Sequence, residues 1–337
     1  MDGSKAAMPE IQDDNAIDYL VQRRFLTRKE AAQSRAVALT GGVSNITIRI
    51  ETPNRDYVLK QALAKLRVQM DWYCDVRRIY VETDCMRLLG RLVGTDLIPE
   101  IFFEDRENYL YLMASAPVDA VTWKQQLLTR EVRIETAERL GKLLGDIHQR
   151  THAQQAQIAQ QFNNDAFFVQ LRVDPYYNTI AERHEDVAAD VSHLAGEMLR
   201  NKRCLVHGDF SPKNILVHGD DLLLIDFEVA HHGDPVFDLA FFLTHLRLKA
   251  FHMPNCRERL YAAIRRFWEA YTDTVNFLSI DTLEPRFVRH WGCILLARLD
   301  GKSPVEYLQP EVKTVVRPYA KRLIRGEFDS IEACLSV

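Results

Sequence analysis

Leu205-Val206-His207-Gly208-Asp209-Phe210-Ser211-Pro212-Lys213-Asn214-Ile215-Leu216, followed by Leu224-Ile225-Asp226-Phe227-Glu228, decides how the chain is read. Cys204-Leu-Val206 is a short apolar run that reads as a strand. Ile215-Leu-Val217 and Leu222-Leu-Leu-Ile225 flank His218-Gly219-Asp220-Asp221 and read as a hairpin. Gly208 and Pro212 put the polar residues between these runs into loops. His207, Asp209, Asn214 and Asp226 therefore gather at the ends of buried strands. Buried carboxylates need a compensating partner, because an unpaired charge away from water is costly. A divalent cation supplies one, and Mg2+ takes hard oxygen ligands from few protein groups, completed by water and phosphate oxygens. Asn214 and Asp226 are the candidate ligands. Asp209 is then left to accept a proton from an attacking hydroxyl.

Working outward, residues 14–35 carry apolar side chains at helical spacing: Ile17, Leu20, Val21, Phe25 and Leu26. Residues 37–62 change to three short antiparallel strands, with Ile46-Thr-Ile-Arg-Ile-Glu51 alternating at period two and Gly41-Gly42 in the first turn. Helical spacing returns over 72–90, a strand over 110–113, and helices over 132–149, 180–200 and most of 236–328. The Gln- and Asn-rich stretch 154–164 reads as a loop, a candidate lid. His231-His232 match no metal spacing and read as surface or substrate-edge residues.

The 337 residues are 47% hydrophobic and 27% charged, which is globular composition and excludes a disordered or fibrous chain. A formal charge of −4 argues against nucleic-acid binding over the whole surface. No apolar run is long enough to span a membrane, and the first twenty residues have neither the basic start nor the apolar stretch of a secretory signal. Six scattered cysteines without CxxC spacing fit reduced thiols in a cytoplasm.

His207-Gly-Asp209-Phe-Ser-Pro-Lys-Asn214, with Ile-Asp226-Phe-Glu228 after it, resembles the catalytic and metal-binding loops of the protein-kinase-like fold. Gly after His, where protein kinases carry Arg, and Glu228, where they carry Gly, are similar to the small-molecule branch: aminoglycoside phosphotransferases, choline kinases and methylthioribose kinases. The resemblance implies an α+β, bilobal protein-kinase-like fold, with a small antiparallel-sheet N-lobe (1–113) and a larger, mainly helical C-lobe (114–337). It implies ATP and Mg2+ as cofactors, a small-molecule hydroxyl acceptor, no nucleic-acid or membrane partner, and a monomer or homodimer. By it Asp209 is the catalytic carboxylate, and Asn214 and Asp226 hold the metal. Gly41, Gly42, Ser44 and Asn45 form the turn over the phosphates, where backbone N–H groups approach because side chains are absent. Lys60 contacts the α/β phosphates and Glu82 orients it; Glu82 shares a helix face with Cys85, Met86 and Leu89. Met113 to Ser115 form the adenine-binding hinge. His207 and Asp238 brace the catalytic loop, with Asp238 open to a second reading as a helix N-cap, and Asp234 an alternative for the brace.

The acceptor is carried less sharply. Trp72…Asp75…Arg77…Glu82, Asp174-Pro-Tyr176 and Leu295-Leu-Ala-Arg298-Leu-Asp-Gly301 resemble segments of methylthioribose kinases. Asn214 and the Asp-Phe-Glu loop depart from that family, which lacks the Asn and carries Asp-Pro-Glu. Glu228 and Arg298 are the candidate acceptor contacts. Arg298 and Lys302 would be poor neighbours for a polycation, so a neutral or anionic hydroxylated metabolite, such as a sugar or sugar derivative, is favoured over an antibiotic, with an aminoglycoside or an amino alcohol such as choline as the alternative. A catalytically idle nucleotide-binding regulatory module is the rival from another class. Retention of Lys60, Asp209, Asn214 and Asp226 argues against it. A protein kinase is disfavoured by the missing Arg, DFG and APE elements.

Overall fold

The computed structural model describes residues 10–39, 42, 44–67 and 72–337. The chain divides into two compact units, Met1–Asp119 and Ala120–Val337. The first is a small antiparallel sheet with helices and the second is mainly helical, the α+β protein-kinase-like architecture.

In the first unit, α1 (Ala16–Gln22) and α2 (Arg28–Ala31) precede β1 (Arg35–Ala38), β2 (Asn45–Glu51) and β3 (Tyr57–Ala62). The helical spacing expected over 14–35 is broken at Thr27, whose side chain and Glu30 cap α2 reciprocally. Helix α3 (Arg78–Val93) follows, then β4 (Ile101–Asp105) and β5 (Leu110–Ala114), and the sheet order is β1-β2-β3-β5-β4. Alternation sorts the two faces. Ile48 pairs with Leu59, and Leu59 with Leu112; these residues join Ile46, Ile50, Ala16 and Leu20 in one buried cluster. Lys60 pairs with Thr47 and Tyr111, so it stands on the opposite face. On α3, Glu82, Cys85, Met86 and Leu89 are all buried, the i, i+3, i+4, i+7 stripe of a packed helix.

In the second unit, β6 (Val121–Thr122) leads into α4 (Trp123–Leu128) and the long α5 (Ile134–His152). Next come α6 (Gln155–Gln161), α7 (Ala166–Phe168), a π-helical segment Val169–Asn178, α8 (Thr179–Arg183) and α9 (Ala188–Arg200). The expected loop over 154–164 is thus largely helix α6, anchored by buried Ile158 and Phe162. The helix expected over 180–200 breaks at His184 into α8, a 3-10 turn and α9. Strand β7 (Cys204–Val206) pairs with β10 (His231–Gly233), while β8 (Ile215–His218) and β9 (Asp221–Leu224) form the hairpin, joined by β6.

The chain closes with α10 (Val236–His252), α11 (Arg257–Thr274), α12 (Ile280–Asp300), α13 (Pro310–Ile324) and α14 (Ile331–Leu335). Helix α10 packs on α11, α12 and α13 and is buried nearly all round. Helices α5 and α11 approach so closely that a Cβ on Gly141 would lie 2.2 Å from the Phe267 carbonyl oxygen. No helix of the described residues is long and apolar enough to cross a membrane.

Candidate active site

In the second unit the strand β7 ends at Val206 and the chain turns through Gly208 at φ +77°. A Cβ there would lie 2.8 Å from a Val229 methyl, so the turn requires glycine twice over, by angle and by space. The turn is pinned by Asp238 from the first turn of α10. Its carboxylate accepts from the His207 amide (2.7 Å) and the Gly208 amide (2.8 Å). His148 on α5 stands 3.3 Å from the same carboxylate, and its other ring nitrogen 3.0 Å from the Tyr271 hydroxyl. Burial pushes the Asp238 pKa up, but the His148 hydrogen bond and charge and the His207 amide hold it below the ordinary carboxyl value. Asp238 is therefore the brace of the loop. The helix start is served by Asp234, which accepts from the Val236 amide at 3.1 Å and pairs with Arg286. His207 is buried between Phe210 and Phe227, its pKa lowered by that burial, and its Nδ1 accepts from the Asp209 amide at 3.1 Å.

Asp209 has two unlike oxygens. Oδ2 lies 2.9 Å from Arg172 Nη2 and 2.8 Å from Lys213 Nζ. Oδ1 is buried and has no hydrogen-bond partner among the described residues. Arg172 also donates to the Gly208 carbonyl at 2.7 Å and to the Leu171 carbonyl at 2.7 Å. Burial works against the Arg172 charge, but Asp209, Tyr176, Glu228 and Asp226 outweigh it and raise its pKa. Buried Glu228 thus belongs to the same charged neighbourhood as Asp209 and Asp226.

Asn214 ends the 3-10 turn Pro212–Asn214. Its Nδ2 donates to the Asp209 carbonyl (3.0 Å) and its own carbonyl accepts from the Ile225 amide (3.0 Å), which ties the loop to the residue before Asp226. Asp226 adopts φ +73°, a left-handed conformation that costs a non-glycine residue about 1–3 kcal/mol and recurs at functional sites. With Nδ2 committed to the backbone, Asn214 offers Oδ1, and Asp226 a half-buried carboxylate. Two hard oxygen donors of this kind fit Mg2+ and would suit a soft metal poorly.

In the first unit, Lys60 Nζ lies 2.8 Å from Glu82 Oε1, with both side chains buried. Two other acids near Glu82 in sequence or fold are engaged elsewhere: Glu104 pairs with Arg87 and Arg106, and Asp84 also lies near both. Asn45 opens β2 and donates to the Ser44 hydroxyl at 2.9 Å. Gly42 is exposed; Gly41 lies outside the described residues. Fully buried Arg78, at the start of α3, donates to the carbonyls of Ser44 and Leu63 and so ties α3 to the ends of β2 and β3. Met113 sits in the sheet between Val58 and Ile101. The next two amides are already engaged, Ala114 with the Glu100 carbonyl (2.8 Å) and Ser115 with the Asp56 carbonyl (3.3 Å).

Arg298, near the end of α12, is held by the Tyr176 hydroxyl (3.3 Å) and the Ser303 hydroxyl (2.9 Å). Tyr176 lies one helical turn beyond Arg172 in the π-helical segment, a rare geometry that often marks functional sites. His231 and His232 are buried in β10 and not at the surface as expected; His231 stacks on Phe168 at 4.0 Å. The sequence reading missed Arg172, Lys213 and Arg78. Lys213 is four residues after Asp209, a spacing that could have flagged it.

A family model for a phosphotransferase enzyme family matches residues 35–278. A methylthioribose kinase of Exiguobacterium sibiricum is 22% identical over 325 residues, covering 83% of each chain. A methylthioribose kinase of Escherichia coli O45:K1 is 24% identical over 274 residues, covering 68% of this chain and 64% of that one. Among solved structures, the amicoumacin kinase hAmiN in complex with AMP-PNP, Ca2+ and Ami superposes with a TM-score of 0.58 at 15% identity, over 93% of this chain and 94% of that one.

Proposed function

The chain belongs to the phosphotransferase enzyme family and is a small-molecule kinase, and we propose that it transfers the γ-phosphoryl of Mg·ATP to a hydroxyl of a sugar or sugar derivative. The observation that carries this reading is the asymmetry of Asp209: one oxygen held by two cations, the other buried and without a partner. Oδ1 would accept the hydroxyl proton of the acceptor and orient its oxygen for in-line attack. Arg172 and Lys213 would hold the carboxylate in place through Oδ2 as the proton arrives at Oδ1. Lys60, held by Glu82, would bind the α/β phosphates, and Gly41, Gly42, Ser44 and Asn45 would meet the phosphate chain with backbone amides. Asn214 Oδ1 and Asp226 would hold Mg2+, which when bound neutralises charge on the phosphate oxygens. Met113 to Ser115 would receive the adenine through backbone groups, with carbonyls favoured because the Ala114 and Ser115 amides are already engaged.

The methylthioribose kinases among the relatives support a sugar-like acceptor. An aminoglycoside or amino alcohol is disfavoured by Arg298 beside Tyr176. The test is ADP release from Mg·ATP with a panel of sugars, sugar derivatives, amino alcohols and aminoglycosides. One acceptor should drive release, and Asp209→Asn should lower turnover by roughly 10²–10⁴ while Mg·ATP still raises Tm. Wild-type turnover in Asp209→Asn would refute the role of Asp209. Stabilisation by Mg·ATP with no release from any acceptor would favour the idle nucleotide-binding module.

A further inference from the structure

Helix α10 presents Phe241, His245 and Lys249 four residues apart, so they stack along one side. Phe241 meets Tyr176 at 5.5 Å and His245 at 5.3 Å, and the Arg172 guanidinium sits over the Phe241 ring at 5.7 Å. The row therefore starts at the residue that holds Asp209 and ends at Lys249.

Lys249 is fully buried. Its one hydrogen bond among the described residues runs to the His245 carbonyl at a long 3.3 Å, and its ammonium lies 5.6 Å from the Tyr307 ring. Arg298 approaches from α12. Neither Lys249, Arg298 nor Lys124 has an ion-pair partner among the described residues, whereas Arg172 and Arg286 each meet a carboxylate. Three polar atoms around this group are buried without a partner: Arg298 Nε, His245 Nε2 and the Tyr307 hydroxyl. Their residues are otherwise half-buried, so the group is not sealed inside the core. Burial, then Lys124 and Arg298, pushes the Lys249 pKa down to about 7. The strongest charges on His245 are likewise cations, Lys249, Arg298, Lys213 and Lys124. A fold that merely needed to fill this space would do so with apolar side chains, because an ammonium without a counter-ion is costly there.

We propose that Lys249, Arg298, His245 and Tyr307 bind an oxyanion of the phosphoryl acceptor, so that the acceptor is a hydroxylated carboxylate or a phosphate monoester in place of a neutral sugar. This rests on the phosphotransfer reading and narrows it. The acceptor would pair its anion with Lys249 and Arg298 and present its hydroxyl to Asp209 Oδ1.

Gluconate and ribose 5-phosphate, each beside its neutral counterpart glucose or ribose, test the class and separate carboxylate from phosphate. The readouts are the Tm shift in the presence of Mg·AMP-PNP and the rate of ADP release from Mg·ATP. Wild type should be stabilised by at least one anionic compound more than by its neutral counterpart. Lys249→Met, which keeps the length of the chain, and Arg298→Gln should each weaken that compound by about ten- to hundredfold, the worth of a charge-assisted hydrogen bond. A Tm shift with Mg·AMP-PNP alone shows that either variant is folded. Equal responses to charged and neutral compounds, or equal responses of wild type and both folded variants, would overturn the anion site and leave phosphotransfer standing. Anion stabilisation lost in the variants, with no ADP released by any compound, would support the site and count against the phosphotransfer reading.

Discussion

The Arg172 guanidinium spans two atoms of the His207-to-Asn214 loop: Nη2 lies 2.9 Å from Asp209 Oδ2 and Nε 2.7 Å from the Gly208 carbonyl oxygen. One rigid planar group thus fixes both the carboxylate and the backbone turn that carries it, which a lysine could do at only one point. Arg172→Gln should lower kcat by roughly 10–100-fold through misplacement of Asp209, with little change in KM for ATP. Arg172→Lys should recover part of the loss. Steady-state kinetics with each substrate varied in turn would check this; a rise in ATP KM with kcat intact would show that Arg172 acts on nucleotide binding instead.

The Lys60–Glu82 pair joins β3 to α3 within the first unit, and both side chains are buried. Lys60→Met should remove the proposed phosphate contact, and Glu82→Gln should leave the lysine poorly aimed. Each is expected to raise KM for ATP by about tenfold or more, and the double variant should be little worse than Lys60→Met alone, because the two groups act as a unit. Additive losses in the four-variant cycle would mean that Glu82 contributes independently of Lys60.

Much of this was legible in the sequence where function is written in contiguous residues. His207 to Asn214 and Asp226 to Glu228 lie in loops fixed by their own turns, so spacing alone grouped them. Lys60 was legible through the resemblance, as the cation of the strand after the glycine turn, and Glu82 through the helix face it shares with Cys85, Met86 and Leu89. Arg172 was not, because it reaches Asp209 from a π-helical segment whose period no amphipathic pattern announces. Lys249 was hidden for the opposite reason: at the end of a helix a lysine ordinarily signals solvent, and only the packing of α10 among its neighbours buries it. The Gln-rich 154–164 stretch misled by composition, since Ile158 and Phe162 suffice to dock a helix there.

Asp238 holds two backbone amides and faces His148, all away from water. Asp238→Asn puts an amide donor against one of those N–H groups, leaving it unsatisfied. The expected cost is about 1–3 kcal/mol, read as a lower urea midpoint at unchanged m-value. Turnover should fall with it, since the amides of His207 and Gly208 set the approach to Asp209. Unaltered stability would mean that solvent or another group satisfies those amides.

His231 ties folding to pH. Burial lowers its pKa to about 4, and its Nδ1 lies 3.1 Å from the Val229 carbonyl. An unfolded histidine takes up a proton near pH 6.5. Between these two values the unfolded chain binds more protons than the folded one, so stability falls as the pH drops through this window and is restored above pH 6.5. The shift is worth roughly 3 kcal/mol across the whole window. Buried His290, with a pKa lowered to about 3, adds a loss of the same sign. His231→Asn keeps a donor toward the Val229 carbonyl and removes the titration. Its urea midpoint should be lower than wild type at pH 7.5, yet decline less between pH 7.5 and 5. Equal declines in the two proteins would show that His231 takes up its proton as readily in the folded chain as in the unfolded one and does not tie folding to pH.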